Sequence, residues 1–498
     1  MTTYPIALAV FVTVFALVTL AGFLAARWRR ADSGMHSLEE WGLAGRSFGT
    51  LITWFLLGGD VYTAYTVIAV PASMFGVGAM AFFAVPYTIL IYPYMMVVLP
   101  KIWTVCHKNN YVTFADLVRG RFQFKPLTVA IALTGILALM PYIALQLVGM
   151  KVALASMGLR GEWPLIIAFV ILALYTYSAG LRAPAIIAVI KDVMLYVMVG
   201  AAVIWLPRKL GGFAHVFATA KAALPMHTPP GSMLLHPGQL LPYSTLAIGS
   251  TLALILYPHT ATATLSSSGP NTLRRNAALL PAYTLMLGLL ALLGYVAITA
   301  GVTSADKSEI IPLLFLKSFP QWFAGFCLSA IAVGALVPAA IMSIAAANLF
   351  TRNLWGEFAK TPLTAAQEAA QAKIVSMLVK VGALAFVLET PGSYAIEMQL
   401  LGGIWITQLF PAVVCGAFLK KYLHPWAVFT GWAAGMVWGS GMAIALDFKG
   451  SGVYPLHLFG QTWGMYAAIP ALILNLLLSF GLSPLFEKFK APAEPALA

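Results

Sequence analysis

Long apolar runs separated by short polar loops repeat along almost the whole chain. A helix needs about 20 apolar residues to cross a bilayer, and such runs recur as far as residue 485. We therefore predict an all-α polytopic membrane protein with about thirteen membrane-spanning helices. The predicted spans are residues 5–26, 48–72, 77–99, 127–150, 163–180, 183–206, 242–258, 277–301, 322–350, 373–389, 396–419, 425–446 and 463–485.

The composition favours lipid as the solvent of this fold. Of the 498 residues, 61% are hydrophobic and only 9% are charged, whereas a soluble domain carries about 25% charged residues. A soluble fold could not bury this much apolar surface. The first apolar run has no basic segment before it and is followed by Arg27, Arg29 and Arg30. We therefore expect a leading helix here and not a cleaved signal peptide.

The formal charge of +13 is explained by where the basic residues lie. If the N-terminus is outside, most lysines and arginines fall in the cytoplasmic loops, as the positive-inside rule requires. Pairs such as Arg274 and Arg275 illustrate this bias. The pattern predicts a multi-pass protein of the inner (plasma) membrane with a cytoplasmic C-terminus, and it needs no nucleic-acid partner.

Two predicted spans carry signs of a break. Span 48–72 contains Gly58-Gly59-Asp60, and span 242–258 contains Gly249-Ser250-Thr251 and ends at Tyr257-Pro258-His259. Broken helices are tolerated at membrane depth only where they line a cavity, and they mark binding sites in matching positions of transporter repeats. Each of these spans begins a run of five, which favours a five-plus-five inverted repeat.

Asp60 is the strongest candidate for coupling to an ion. A charged carboxylate at the bilayer centre costs about 2.5–3.5 kcal/mol, so it persists where it binds a cation, carries a proton or pairs. The competing interpretation is an acid at a helix end that accepts hydrogen bonds from freed amides. Gly59 and Tyr62, its neighbours in the suspected break, belong to the same candidate site.

Other polar residues in the spans have weaker signals. Asp192 follows Lys191, so a local pair is favoured over a site, and Lys380 could either snorkel or pair with an acid. His259 could bind substrate or take part in proton transfer, but a lone histidine at a helix end is more often a polar cap. The candidate substrate-binding residues are Tyr62, Tyr65, Thr251, Tyr257, His259, Trp405 and Gln408.

The sequence has no signature of an enzyme or of a nucleotide-driven pump. The serine-rich run at residues 266–270 lacks the lysine and the spacing of a phosphate-binding loop. Cys106, Cys327 and Cys415 are far apart and have no metal-ligand spacing. We therefore expect no cofactor, and we expect energy to come from an ion or solute gradient. A transporter-like sensor is disfavoured, because the tail after Pro484 is too short for a signalling domain.

Two segments resemble the sodium:solute symporter family. Residues 39–47, Glu-Glu-Trp-Gly-Leu-Ala-Gly-Arg-Ser, are similar to the family's E-F-x-L-A-G-R-S motif, and residues 348–355 resemble its LFTMDIY-type helix end. The resemblance implies a LeuT-type fold with one leading helix, ten core helices and two trailing helices. The resemblance implies a single transmembrane domain at 1–490, with the leading helix at 1–30, the repeats at 40–206 and 242–419 and the trailing helices at 425–487. A short cytoplasmic tail is expected at 488–498.

Within that family the chain most resembles the bacterial monocarboxylate permeases. The resemblance rests on the run from Tyr257-Pro258-His259 to Tyr283 and on residues 334–353. It implies uptake of short organic acids such as lactate, pyruvate or acetate.

One departure from the family bears on the coupling ion. The hydroxyl pair that binds sodium in the family aligns with Val337 and Pro338, which have no side-chain oxygen. We therefore expect coupling to protons through Asp60. The alternative is a sodium-coupled symporter for another small organic solute, with Asp60 and Ser343 forming a rebuilt cation site.

Overall fold

The computed structural model describes residues 4–25, 35–59, 62–389, 395–419, 422–448 and 451–488, with side chains of the helix that begins at residue 395 described from 399 onward. Almost all of the described chain is helical. The first half contains helices α1 Pro5–Leu24, α2 Leu38–Leu43, α3 Thr50–Gly59, α4 Val70–Val77, α5 Ala84–Lys108, α6 Phe114–Phe122, α7 Lys125–Ser156, α8 Trp163–Ala179, α9 Arg182–Lys209 and α10 Phe213–Ala223.

The second half is helical as well, apart from one hairpin. It contains α11 Leu240–Leu256, α12 Pro258–Leu265, α13 Pro270–Leu279, α14 Pro281–Thr299, α15 Ile310–Ser318, α16 Gln321–Leu349, α17 Gly356–Phe358, α18 Ala365–Glu389, α19 Ala395–Thr407, α20 Gly416–Phe418, α21 Pro425–Ala445 and α22 Ala468–Phe486. Strands β1 Val453–Leu458 and β2 Gln461–Tyr466 pair antiparallel between α21 and α22. The prediction that a span begins at residue 463 was therefore wrong, because β2 extends to Tyr466.

Apart from the start of the last span, the described parts of the predicted spans fall mainly on helices, but not every helix is long. Within the described residues, ten helical segments are long and apolar enough to cross a membrane, or eleven if the bent pair Gln399–Thr407 and Pro411–Phe418 is one span. Three shorter apolar helices, Thr50–Gly59, Tyr65–Val77 and Trp163–Ala179, account for the remaining predicted spans. The multi-pass helical fold is confirmed, and the exact count of thirteen stays a prediction.

The break in span 48–72 lies where the glycine pair predicted it. Helix α3 ends at Gly59, and helical structure resumes as a π-helical turn at Tyr65–Ala69 that continues into α4. Thr63 and Thr66 form the turn between them, because the Thr66 hydroxyl donates to the Thr63 carbonyl and accepts from the Thr63 amide. These bonds replace part of the helical ladder that the break removes.

The second break lies at Tyr257 and not at Gly249-Ser250-Thr251, so that part of the prediction was wrong. Helix α11 is continuous to Leu256, Tyr257 is extended with φ −60° and ψ 137°, and α12 begins at Pro258. Proline has no N–H to continue α11 and favours an extended residue before it, but its fixed φ suits the first position of a new helix. Gly249 serves close packing, because a Cβ there would lie 2.5 Å from the Tyr466 ring.

Helix α16 lies at the centre of the bundle. Its membrane-spanning window is wholly buried, and it packs against α1, α7, α9, α12 and α18. Alanine, glycine and serine make up much of its length, which allows the neighbouring helices to approach closely. The residues that flank the breaks, Gly59, Tyr62 and Tyr257, are buried as well.

Candidate functional site

The carbonyl end of α3 is held by a lysine from α9. The Lys191 ammonium donates to the Gly59 carbonyl across 3.2 Å and to the Tyr62 carbonyl across 3.0 Å. These two residues flank the break, and Lys191 has no exposed surface. The C-terminal end of a helix has unpaired carbonyls and a partial negative charge, so the ammonium neutralises the end of α3.

The same ammonium pairs with a buried acid. Its nitrogen lies 3.0 Å from Asp192 Oδ1, and both side chains are fully buried. Tyr283 of α14 donates its hydroxyl to Asp192 Oδ2 across 2.5 Å. The expected Lys191–Asp192 pair is confirmed, but it lies well inside α9 and holds the break, whereas the sequence suggested a local pair at a helix start.

Two adjacent glycines make room for this cluster. A Cβ on Gly58 would lie 2.1 Å from the Tyr283 ring, and a Cβ on Gly59 would lie 3.1 Å from the Lys191 ammonium. Tyr62 closes the other side, with its ring centroid 4.6 Å from that of Tyr283 and its hydroxyl 3.3 Å from the Tyr283 carbonyl. The glycine pair thus lets a ring and an ammonium reach the broken backbone.

The start of α12 is the second feature of the site. Its first residue is Pro258, and no side chain caps this end of the helix. His259 follows, fully buried, and neither of its ring nitrogens has a hydrogen-bond partner among the described residues. A helix N-terminus has unpaired N–H groups and a partial positive charge, which favour an anion.

Tyrosines form a cavity beside this helix start. Its lining includes Tyr65, Tyr87, Tyr142, Tyr257 and Tyr466, and the empty space is about 370 Å³ with its opening included. The lining residues that the structure describes include no carboxylate. His259 packs against two of them, with ring centroids 5.1 Å from Tyr257 and 5.4 Å from Tyr142. An anion in this cavity would lie among tyrosine side chains, and Tyr257, the residue directly before α12, is one of them.

Some of the predicted site residues lie elsewhere. Trp405 donates to the Ser440 hydroxyl of α21 across 3.0 Å, and Gln408 accepts from Asn475 of α22 across 3.2 Å. Neither lines the tyrosine cavity. The Thr251 hydroxyl donates to backbone carbonyls of Tyr87 and Ala247. The structure thus brings Tyr65, Tyr257 and His259 together and directs Trp405 and Gln408 towards the last two helices.

Ser343 and the two positions that align with the family's sodium-binding hydroxyls lie on α16. Val337 and Pro338 are buried in α16. The Ser343 hydroxyl donates to the Ala340 carbonyl across 2.8 Å and accepts from Ser376 across 3.2 Å. Asp60, the main coupling candidate, lies outside the described residues.

The snorkelling interpretation of Lys380 was wrong. Its ammonium is buried, so it does not snorkel, and it donates to the Ser376 hydroxyl across 2.9 Å. No acid pairs with it among the residues that the structure describes. It lies on α18, whereas Lys191 lies on α9, so the two buried lysines belong to different parts of the bundle.

The segment at residues 39–47 docks the first part of the chain onto α9. Glu40 accepts from Arg182 Nε across 3.0 Å, and Arg46 Nε donates to Glu39 across 2.7 Å. Ala44 has a left-handed backbone, with φ 51°, as does Gly45, with φ 61°. The segment that resembles the family motif therefore forms two ion pairs just before the first broken span.

A polar cluster lies at the turn between α5 and α6. Asp116 accepts from the Val112 and Thr113 amides and from Asn353, across 2.9, 3.2 and 2.7 Å. Tyr111 lies in this loop, and burial, with the Asp116 charge as a smaller cause, raises the pKa of its hydroxyl above the ordinary value. The cluster ties the loop to the turn directly after α16.

Comparisons with known proteins agree with this architecture. A model of the sodium:solute symporter family matches residues 41–435. The chain belongs to this family, and it is accordingly a membrane symporter and not an enzyme.

Two relatives match over nearly the full length. A monocarboxylate transport permease protein of Rhizobium johnstonii is 50% identical over 98% of both chains. The uncharacterised symporter YodF of Bacillus subtilis is 32% identical over 96% of this chain and 94% of its own.

Two solved structures share the fold. A sodium-coupled sialic acid symporter in a substrate-bound, outward-open state superposes with a TM-score of 0.77 at 15% identity, covering 98% of this chain and 99% of its own. A nucleobase-cation-symport-1 family transporter in a closed conformation gives a TM-score of 0.52 at 14% identity, covering 91% of this chain and 96% of its own.

Proposed function

We propose that this symporter imports short-chain monocarboxylates such as lactate, pyruvate or acetate. The observation that carries the proposal is the uncapped start of α12, where the buried and unpartnered His259 packs against a tyrosine-lined cavity. A substrate carboxylate there would accept hydrogen bonds from His259 and the first amides of α12.

The similarity to the Rhizobium protein supports the same substrate class. That protein is described as a monocarboxylate transport permease, and half of its aligned residues are identical to this chain. Among the described residues that line the cavity, none has an acidic group that would repel an anion.

We propose protons as the coupling ion. Sodium prefers several oxygen ligands, and the aligned positions Val337 and Pro338 provide none from their side chains. Asp60 supplies a protonatable group in the first broken span. The alternative is sodium coupling with another small organic solute. It would need Ser343 as a ligand, and that hydroxyl is already bonded to Ala340 and Ser376.

We propose thirteen spans with the N-terminus outside and the C-terminus in the cytoplasm of the inner membrane. In this arrangement α3 with α4, and α11 with α12, each form one discontinuous span. The repeats then cover 40–206 and 242–419, between the leading helix and the trailing helices at 425–487.

The substrate assignment is tested by uptake of a labelled short-acid panel into proteoliposomes. Pyruvate, lactate and acetate should compete with one another for uptake, whereas a neutral analogue such as pyruvamide should not compete, because it has no carboxylate. Protein-free liposomes control for diffusion of the undissociated acids. Uptake that no monocarboxylate inhibits would contradict the assignment.

A further inference from the structure

The break after α3 is filled by a positive charge that belongs to the protein itself. Three oxygens surround the Lys191 nitrogen: the Gly59 carbonyl at 3.2 Å, the Tyr62 carbonyl at 3.0 Å and Asp192 Oδ1 at 3.0 Å. Unwound carbonyls and C-terminal ends of broken membrane helices are where transporters coordinate cations. The ammonium of Lys191 occupies such a position.

The ammonium group fits this position closely. It has three N–H donors and no acceptor. It donates to the Gly59 and Tyr62 carbonyls, and Asp192 Oδ1 lies 3.0 Å away as its ion-pair partner. Lys191 and Asp192 are fully buried, so water does not compete for these contacts. A free metal ion at the same place would need the same oxygens and would be repelled by the ammonium.

The surroundings indicate a role at the break beyond that of an ordinary ion pair. Two of the three oxygens are backbone carbonyls on either side of the break. A Cβ at Gly59 would lie 3.1 Å from the Lys191 ammonium, so the glycine leaves the space that the ammonium occupies. The groups facing the lysine are Asp192 from α9, Tyr283 from α14 through Asp192, and Tyr62 from the segment after the break. In the sequence, Asp60 lies between Gly59 and Tyr62, the two residues whose carbonyls accept from Lys191.

We propose that Lys191 is a tethered cation that replaces a free metal ion at the end of α3. The symporter then needs no sodium at this position, and Lys191 keeps the two parts of the broken span in register during transport. The inference rests on the proposed function in one respect, which is that pyruvate serves as the substrate in its test.

The test is pyruvate exchange in proteoliposomes with equal pH and equal salt on both sides. Exchange requires no driving gradient, so it tests this site separately from the coupling ion. We expect the wild-type rate to be the same in choline, sodium and methylammonium buffers. Lys191→Ala should lose about tenfold or more in choline, because charged hydrogen bonds are lost. Sodium or methylammonium should restore part of that rate.

Two further variants keep the test valid if Lys191→Ala does not fold. Lys191→Arg keeps a positive charge and should exchange pyruvate without sodium. Lys191→Gln fills the space without charge and should be slow in choline. The matched control is Lys317→Ala, because Lys317 is an exposed lysine that also donates to two carbonyls, those of Ala300 and Gly301. It should exchange at the wild-type rate.

Three results would overturn the proposal. The first is wild-type exchange that requires sodium. The second is Lys191→Gln or folded Lys191→Ala exchanging at the wild-type rate in choline. The third is equal loss in the alanine, glutamine and arginine variants with no rescue by either cation, which would mean a purely structural lysine. Absence of any pyruvate exchange by the wild type would instead contradict the substrate assignment.

Discussion

The hydroxyl of Tyr283 donates to Asp192 across 2.5 Å, although 91 residues separate them in the sequence. This bond joins α14 to α9 directly behind the broken end of α3. Asp192 in turn pairs with Lys191, which donates to the carbonyls of Gly59 and Tyr62. One chain of polar contacts therefore connects three helices at the first break.

Replacing Tyr283 with phenylalanine removes one hydrogen bond from this chain. We expect Tyr283→Phe to lose about 1.5–3 kcal/mol, since the acceptor is a buried carboxylate. The loss should appear as a lower unfolding temperature of the detergent-purified protein. Tyr177→Phe is the control, because Tyr177 is an exposed tyrosine. Equal unfolding temperatures for Tyr283→Phe and the wild type would mean that the bond contributes no net stability.

Gly58 is required for the approach of the Tyr283 ring. We expect Gly58→Ala to destabilise the protein by about 1–3 kcal/mol or more through overpacking, because the added Cβ would lie 2.1 Å from the ring. Gly288→Ala is the matched control, since nothing lies within 4 Å of a Cβ there. Thermal unfolding compares the two, and a Gly58→Ala variant as stable as Gly288→Ala would refute the packing argument.

His259 is expected to bind the substrate carboxylate. Loss of a hydrogen bond to a charged group should raise the half-saturating pyruvate concentration about tenfold or more in His259→Ala. His215→Ala, at an exposed position on α10, should leave it unchanged. Uptake measured over a range of pyruvate concentrations tests this. A folded His259→Ala variant with unchanged half-saturation would make His259 a packing residue.

His424 should make stability depend on pH. Its Nδ1 accepts from the Trp426 amide at the start of α21 across 3.3 Å, and burial lowers its pKa, with Glu487 opposing the shift. A histidine with a lowered folded pKa contributes stability above its unfolded pKa of about 6.5, and that contribution is lost as the pH falls below it.

His424→Asn provides the comparison for that prediction. Asparagine caps a helix without titrating in this range. Unfolding temperatures measured from neutral to acidic pH should fall more steeply for the wild type than for the variant. Parallel curves would contradict the prediction.

Hydropathy and glycine placement predicted much of the fold from the sequence. Apolar runs located the spans, and the pair Gly58-Gly59 located the first break. Span 242–258 carried two signs of a break, Gly249-Ser250-Thr251 and Tyr257-Pro258-His259, and only the second marks it. A glycine indicates close packing as readily as it indicates a break, and only the tertiary contact of Gly249 with Tyr466 distinguishes the two interpretations.

The candidate site was harder to predict, because its contacts are distant in sequence. Lys191 and Gly59 are 132 residues apart, and no local pattern brings them together. Trp405 and Gln408 were predicted to bind substrate from their residue types alone. The orientation of α19 and of the turn that follows it directs these two side chains to α21 and α22 instead. Asp192 was correctly paired with Lys191, but its burial depends on the packing of α9 against α3 and α14.

The most direct test of the account is the initial rate of labelled pyruvate uptake under one imposed gradient at a time. An inward proton gradient without sodium should drive pyruvate accumulation, and an inward sodium gradient at equal pH should not. Asp60→Asn should abolish accumulation. Accumulation that requires sodium and ignores the proton gradient would contradict the account, as would unchanged accumulation by Asp60→Asn.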